Sequence, residues 1–194
     1  MSRAHALIYN RELIDNRVIN ASIGVLFFIL VTVLGAYVRI PVKGSPVPIT
    51  LQTFFVILSG AVLGKRLGSL SQFVYLILGT IGLPVFQGYS SGVAYILGPT
   101  GGYIIGFIVS AYFVGHMLRY KSSNINWVIA SFVAGSLIIY ALGSLWLVYL
   151  YKINIITAIS IGILPFLPGD MIKIFFATII YSKISQRSKT IFSI

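Results

Sequence analysis

Long apolar segments, separated by short polar ones, account for most of the chain. A transmembrane helix needs about 20 predominantly apolar residues, with a range of about 17–25, and most of these segments reach that length. We therefore predict an all-α fold, a polytopic membrane protein that forms a single domain over residues 1–194. Its six predicted transmembrane helices cover residues 18–38, 49–64, 67–83, 102–118, 127–150 and 166–184.

The second and third apolar segments flank Lys65 and Arg66, so we expect them to form a tight helical hairpin. The segment before this hairpin, residues 40–48, contains three prolines and cannot form a regular helix. Non-helical backbone near membrane depth persists only where protein covers it or a cavity borders it. Residues 40–48 are therefore predicted to line a pocket.

The composition excludes a soluble domain. Hydrophobic residues make up 58% of the chain and charged residues 9%, and the mean hydropathy is +0.98. A soluble domain is about 45–50% apolar and about 25% charged. The chain has no cysteine, which excludes a disulfide framework, a thiol nucleophile and a cysteine-ligated metal site. The first apolar segment is too long for a signal peptide and lacks a cleavage pattern, so we interpret it as a retained first helix.

The net charge of +11 fits a membrane topology better than nucleic-acid binding, because the basic residues lie between the apolar segments and not along one face. With a cytoplasmic N-terminus, ten Lys and Arg residues are inside and three are outside, which is a strong positive-inside signal. We therefore predict cytoplasmic termini, with basic tails at residues 1–17 and 185–194. The ten are Arg3, Arg11, Arg17, Lys65, Arg66, Arg119, Lys121, Lys183, Arg187 and Lys189, and the three are Arg39, Lys43 and Lys152.

One opposite-charge pair is predicted inside the apolar segments. The irregular connections 40–49, 84–101 and 163–169 all fall on the predicted outer side, where they can enclose a small-molecule site. Asp170 begins the last helix there, and Lys173 lies on the same helix face. Ionisable groups within a membrane usually face a cavity or a partner. The alternative is a pair that neutralises itself and caps the helix; we favour a ligand-facing role.

A few neutral polar residues are further candidates for ligand contacts. Thr50 and Gln52 follow the proline-rich segment, and Gln87, Tyr89 and Tyr95 lie in the connection between the third and fourth helices. Amide and hydroxyl groups can orient a ligand through directed hydrogen bonds.

Catalysis is not predicted. No second carboxylate accompanies Asp170 in the apolar segments, and no Ser, His and Asp can be grouped by spacing. The glycine-containing segment 60–66 lacks the spacing of a phosphate-binding loop. The chain is therefore not expected to be an enzyme, to hold a metal or to hydrolyse ATP, and energised transport would need a partner that does.

Five stretches of the sequence match one known family in the same order. They are Pro46–Thr53, Leu63–Ser69, Tyr75–Phe86, Leu97–Tyr103 with Gly106 and Phe107, and Pro165–Lys173. With them the chain resembles the BioY family, the biotin-specific substrate-binding (S) components of energy-coupling-factor (ECF) transporters. The resemblance implies high-affinity capture of biotin from the outer face of a prokaryotic plasma membrane. It also implies a transmembrane coupling subunit and two ATPase subunits as partners, with no cofactor and with ATP used only by those partners.

The resemblance also assigns the biotin site. Its polar groups would come from the last helix, the first loop and the third-to-fourth loop. These groups correspond to Asp170, Lys173, Thr50, Gln52, Gln87, Tyr89 and Tyr95.

The first helix departs from the family pattern. Family members often carry small residues there, as in Ala-x-x-x-Ala, whereas residues 26–34 are bulky. Docking to a coupling subunit is therefore less strongly indicated than biotin binding. The alternatives are a solitary biotin carrier or facilitator, alone or as a homo-oligomer in membrane lipid, and uptake of a related small vitamin. A membrane enzyme would need a second acid–base group near Asp170, where the sequence offers only tyrosines and serines.

Overall fold

The computed structural model describes residues 3–121 and 124–192, with the side chains of residues 3–16 and 189 outside this description. This part of the chain is nearly all helical, and its one β-sheet has two strands of two residues. In chain order, the elements are α1 (Arg3–Tyr37), β1 (Arg39–Ile40), β2 (Ile49–Thr50), α2 (Gln52–Thr80), a 3-10 helix (Gln87–Tyr89), α3 (Val93–Ile96), α4 (Gly101–Lys121), α5 (Ile125–Tyr151), α6 (Ile155–Gly162) and α7 (Leu167–Phe192).

Helix α2 folds back on itself at Gly64, where φ is 76° and ψ is 176°. Glycine adopts a positive φ of this kind at no steric cost. Gln52 Nε2 donates a hydrogen bond to the hydroxyl of Tyr75 over 2.8 Å. In a straight helix these two residues would be about 35 Å apart, so the two arms of α2 run antiparallel. The structure thus confirms the helical hairpin predicted around Lys65 and Arg66.

The proline-rich segment before α2 forms a β-hairpin. Its antiparallel strands pair Arg39 with Thr50, and Ile40 with Ile49. The prediction that this segment is not helical is confirmed, because proline lacks the N–H that a helix interior requires. The predicted start of the second helix was three residues too early. The helix begins at Gln52, because the two residues of β2 pair with β1 instead.

Asparagine side chains cap the helices that follow two short polar connections. Asn124 Oδ1 accepts from the backbone N–H of Trp127 over 3.1 Å, and Asn154 Oδ1 accepts from that of Thr157 over 2.7 Å. Each cap satisfies one of the backbone donors left free at a helix start. The second cap begins α6, which the sequence analysis did not predict. With 8 residues, α6 is too short to cross a bilayer.

Helices α6 and α7 meet at an angle of 56°. The connection predicted to be irregular over residues 163–169 is irregular only to residue 166, because α7 begins at Leu167. Proline is tolerated in the first turn of a helix, where its missing N–H would have no helical acceptor. Pro168 therefore starts this helix instead of interrupting it, and Asp170 falls in the first turn.

Four helices are long and apolar enough to cross a membrane, or five if the bent pair α6 and α7 counts as one span. This count treats α2 as one helix, although its two arms are antiparallel. The predicted basic tails, residues 1–17 and 185–194, are helical where they are described, since α1 begins at Arg3 and α7 ends at Phe192. The apolar pattern missed these helix ends because helix formation does not require apolar residues.

Small residues bring the helices close together. A Cβ atom on Gly60 would overlap the carbonyl oxygen of Ala111, so the first arm of α2 lies directly against α4. Gly68 faces Gly60 across the α2 hairpin, and Gly106 of α4 lies against the backbone of Ile139 in α5. Small residues permit such close approach of helix backbones. Gly60, Gly68 and Gly106 thus serve packing within one bundle.

Candidate ligand-binding site

The irregular connections enclose a cavity at one end of the bundle. Strand β2 and the start of α2 form one wall, the segment from the 3-10 helix to α4 forms a second, and α5 and α7 form the rest. The space that the centres of water-sized molecules can occupy in it is about 50 Å³, which is room for a few water molecules. The three connections predicted to cluster at one end therefore meet around one small cavity.

Most of the polar residues predicted for the site line this cavity, but Tyr89 does not. The side chain of Tyr89 is 69% exposed, and its ring lies 4.4 Å from that of Tyr37, outside the cavity. The structure therefore does not bring Tyr89 to the site. The six predicted residues that it does bring there are Thr50, Gln52, Gln87, Tyr95, Asp170 and Lys173.

The carboxylate of Asp170 is at the centre of the polar contacts. Asp170 is only 4% exposed. One of its oxygens, Oδ1, accepts from Lys173 Nζ over 2.5 Å and from Thr53 Oγ1 over 3.1 Å. The other, Oδ2, accepts from the hydroxyl of Tyr140 over 2.6 Å. A carboxylate offers about four lone-pair sites, so Asp170 keeps capacity for one further donor.

The ammonium group of Lys173 uses all three of its donors. Lys173 Nζ donates to Asp170, to Thr53 Oγ1 over 3.0 Å and to the backbone oxygen of Thr50 over 2.7 Å. These contacts connect α7 to strand β2 and to the first turn of α2. A fourth contact would have to replace one of them, because an ammonium has only three N–H groups.

A second set of hydrogen bonds joins α2 to the connection after it. Gln52 is 5% exposed; its Oε1 accepts from Thr50 Oγ1 over 3.3 Å, and its Nε2 donates to Tyr75. The Tyr75 hydroxyl in turn donates to the backbone oxygen of Val85 over 3.2 Å. Since both Thr50 and Gln52 are held in this way, their side chains are positioned before any ligand arrives.

The residues of the second wall offer two further polar groups. Gln87 Oε1 is buried and has no hydrogen-bond partner within residues 3–121 and 124–192. Buried polar groups are normally hydrogen-bonded, so this acceptor is available to a ligand donor. Burial raises the pKa of the Tyr95 hydroxyl above its ordinary value, with Thr100 and Gln87 opposing the rise. The hydroxyl therefore stays protonated near neutral pH and can donate.

Aromatic and aliphatic side chains form the rest of the cavity wall. The ring of Tyr95 stacks on that of Phe86 at 4.7 Å, and the ring of Phe166 lies 6.4 Å from that of Tyr140. Ile104 and the other apolar lining residues are largely buried. The site thus combines a hydrogen-bonded charged pair with an apolar surface, as small-molecule sites generally do.

A model of the BioY family matches residues 10–190. The chain belongs to the BioY family. It is 44% identical to the biotin transporter BioY of Thermotoga maritima, over 82% of this chain and 92% of that relative. It is 42% identical to the probable biotin transporter BioY of Pyrococcus horikoshii, over 82% of this chain and 93% of that relative. Membership confirms the family resemblance found in the sequence.

The fold of this BioY family member is also similar to a solved structure. That crystal structure is of the S-component for biotin from an ECF-type ABC transporter, and the TM-score is 0.80. The sequences are 28% identical, and the match covers 91% of this chain and 94% of the other. The described part of the chain therefore has the fold of an S component, with four to five candidate membrane spans.

Sequence analysis of this BioY family member missed two polar partners of Asp170. Thr53 belongs to Pro46–Thr53, one of the stretches that carried the family resemblance, and follows Thr50 by three residues, so it could have been included. Tyr140 lies in a long apolar segment, 30 residues before Asp170, and is one of 12 tyrosines in the chain. No local pattern distinguishes it from the others.

Proposed function

We propose that this chain captures biotin in the cavity and delivers it across the membrane as an S component. The observation that supports this most directly is the buried Asp170–Lys173 pair, which borders the cavity instead of the outer surface of the bundle. Placing two charged side chains at the end of an apolar bundle costs free energy, and such groups usually face a ligand pathway, a cavity or a partner. The names of the relatives point to the same ligand.

The chemistry of biotin fits the groups that border the cavity. Its ureido ring has two N–H donors and one carbonyl acceptor, and its tail ends in a carboxylate. The remaining capacity of Asp170 suits a ureido N–H, and Lys173 can exchange one of its present contacts for a ureido or carboxylate oxygen. Gln87 Oε1 offers a second acceptor. The apolar wall would cover the thioether ring and the aliphatic chain.

The bundle is proposed to cross a prokaryotic cell membrane six times, with both termini cytoplasmic. The crossings would be α1, the two arms of α2, α4, α5 and α7, while α6 stays at the outer surface. The ten basic residues counted above then lie at the inner end, and the cavity lies at the outer end. This arrangement follows the positive-inside rule.

Energy for uptake is proposed to come from partners, namely a transmembrane coupling subunit and two ATPase subunits. The second candidate is a solitary carrier, alone or as a homo-oligomer. The observation that favours it is the bulk of the side chains on the exposed side of α1, where Leu26, Phe27, Leu30 and Leu34 are each more than half exposed. Close docking of helices generally uses small residues. We infer no enzymatic activity, since the named relatives are transporters.

Equilibrium binding of biotin to the purified chain, measured by titration calorimetry, tests the proposal. We expect saturable binding at micromolar concentrations or below, and its absence would overturn the assignment. Tyr95→Ala should weaken binding by about tenfold, since it removes about 1.4 kcal/mol of hydrogen bonding and packing. Tyr89→Ala changes the same residue type in the same connection but outside the cavity, and should change the Kd less than about twofold.

Two further measurements separate the alternatives. Lipoate has the aliphatic chain and the carboxylate of biotin and a five-membered ring with two sulfurs, but lacks the ureido group. Equal affinity for lipoate would favour a related vitamin over biotin. Biotin uptake into vesicles that contain this chain without ATPase subunits would favour the solitary carrier. Uptake only with ATP and partner subunits would favour the S component.

A further inference from the structure

The end of the bundle opposite the biotin cavity carries a second concave site. One part, here called the basic pocket, is lined by Lys65, Arg66 and Arg119 around the turn of α2. Arg119 lies about 28 Å along α4 from Thr100, which borders the biotin cavity. The two sites are therefore separate, and the proposed function uses only the first.

Close packing at Gly115 brings these three cationic residues together. A Cβ atom on Gly115 would overlap the backbone N–H of Lys65, so the turn of α2 rests directly on α4 at that position. Arg119 lies one helical turn beyond Gly115 on the same face of α4. The contact therefore places Lys65 and Arg66 next to Arg119, although more than 50 residues separate them in sequence.

The cations of the basic pocket have no acidic partner among the side chains that the structure describes. The one ion pair among those side chains joins Lys173 to Asp170 at the other end of the bundle. No residue that lines the basic pocket is acidic. The chain has two other acidic residues, Glu12 and Asp15, whose side chains are outside the description. Three adjoining positive charges without a counter-ion among the described side chains favour an anion.

An apolar groove runs on from the basic pocket between α1, α2 and α7. The two share Leu63 and Phe192 in their walls. Asn20 is the one polar side chain among the lining residues of the groove, and the rest are aliphatic, aromatic or glycine. A cationic pocket that continues into an apolar groove matches a molecule with an anionic head and an acyl chain.

From this continuity, we propose that the site binds an anionic phospholipid. Its phosphate would contact Lys65, Arg66 and Arg119, and one acyl chain would lie in the apolar groove. Basic pockets between transmembrane helices at the cytoplasmic side are suited to anionic headgroups. The bound lipid would fix the turn of α2 against α4 and α7.

Native mass spectrometry of the purified, delipidated chain tests the proposal, with phosphatidylglycerol and phosphatidylcholine of identical acyl chains as probes. We expect one tightly retained phosphatidylglycerol, preferred over phosphatidylcholine by at least about tenfold. Each cation contributes about fivefold to the affinity for an anionic lipid. The double variant Lys65→Gln/Arg119→Gln should therefore weaken retention of phosphatidylglycerol about 30-fold. Lys121→Gln/Lys183→Gln removes two charges from the same end, outside the basic pocket, and should change it less than about threefold.

Biotin binding reports on folding, because the biotin cavity is at the other end. If the double variant fails to bind biotin, the second test is Arg66→Gln, which changes an exposed side chain. This variant should retain phosphatidylglycerol about fivefold more weakly. The proposal would be overturned if the two double variants lost phosphatidylglycerol retention equally, or if the wild type retained both lipids equally. Displacement of phosphatidylglycerol by millimolar glycerol 3-phosphate would show a free-phosphate site instead, and would also overturn it.

Discussion

Removing the charges of Asp170 and Lys173 singly and together separates a ligand role from a structural one. In Lys173→Met, the buried carboxylate keeps only the neutral donors Tyr140 and Thr53. Breaking a buried ion pair by removing one partner costs about 3–5 kcal/mol of the free energy of unfolding. Asp170→Asn should cost a similar amount, because it leaves the ammonium without a counter-ion. The double variant buries no unpaired charge and should recover most of the loss.

Biotin affinity should follow a different pattern. A hydrogen bond to a charged group contributes about 1.5–3 kcal/mol, so the loss of either charge should raise the Kd about 10- to 150-fold. The double variant lacks both contacts, so its affinity should stay as low as that of the weaker single variant. Recovery of stability without recovery of binding is thus the expected signature of a pair that holds a ligand.

Equilibrium unfolding in mixed micelles measures the stability, and titration calorimetry measures the Kd. Lys43→Met makes the same side-chain change at an exposed position of the connection between β1 and β2, and should alter neither quantity. If the double variant bound biotin as tightly as the wild type, the pair would only stabilise the helix start. If the two single losses of stability simply added, the charges would not be coupled across 2.5 Å.

Two further changes test individual contacts. Tyr140→Phe keeps the ring but removes the donor to Asp170 Oδ2, and should lower the free energy of unfolding by about 1.5–3 kcal/mol. Tyr149→Phe, exposed on the same helix, should change it by less than about 0.5 kcal/mol; equal losses would contradict the assigned contact. Gly60→Ala should cost about 1–3 kcal/mol, because the added methyl overlaps the backbone of Ala111. In Gly169→Ala the added methyl would have its nearest neighbour at 3.8 Å, so this variant should lose less free energy of unfolding in the same assay. A Gly60→Ala variant as stable as the wild type would refute the close packing.

Much of the architecture could be predicted from local features of the sequence. Apolar segments of sufficient length form the helices, because backbone groups in a bilayer must be hydrogen-bonded internally. Three prolines keep residues 40–48 from being helical, and a spacing of three residues places Asp170 and Lys173 on one helix face. Each of these outcomes depends on residues that are close together along the chain, which a sequence contains directly.

Contacts between helices could not be predicted in this way. The structure selects Tyr140 as the partner of Asp170 and turns Tyr89 outward, although the sequence predicted Tyr89 and not Tyr140 for the site. It also adds α6 and joins the turn of α2 to Arg119. Local sequence gives the order and spacing of side chains along each helix. How the helices rotate and shift against one another depends on packing across the whole bundle, as at Gly60 and Gly115, and only the tertiary structure decides it.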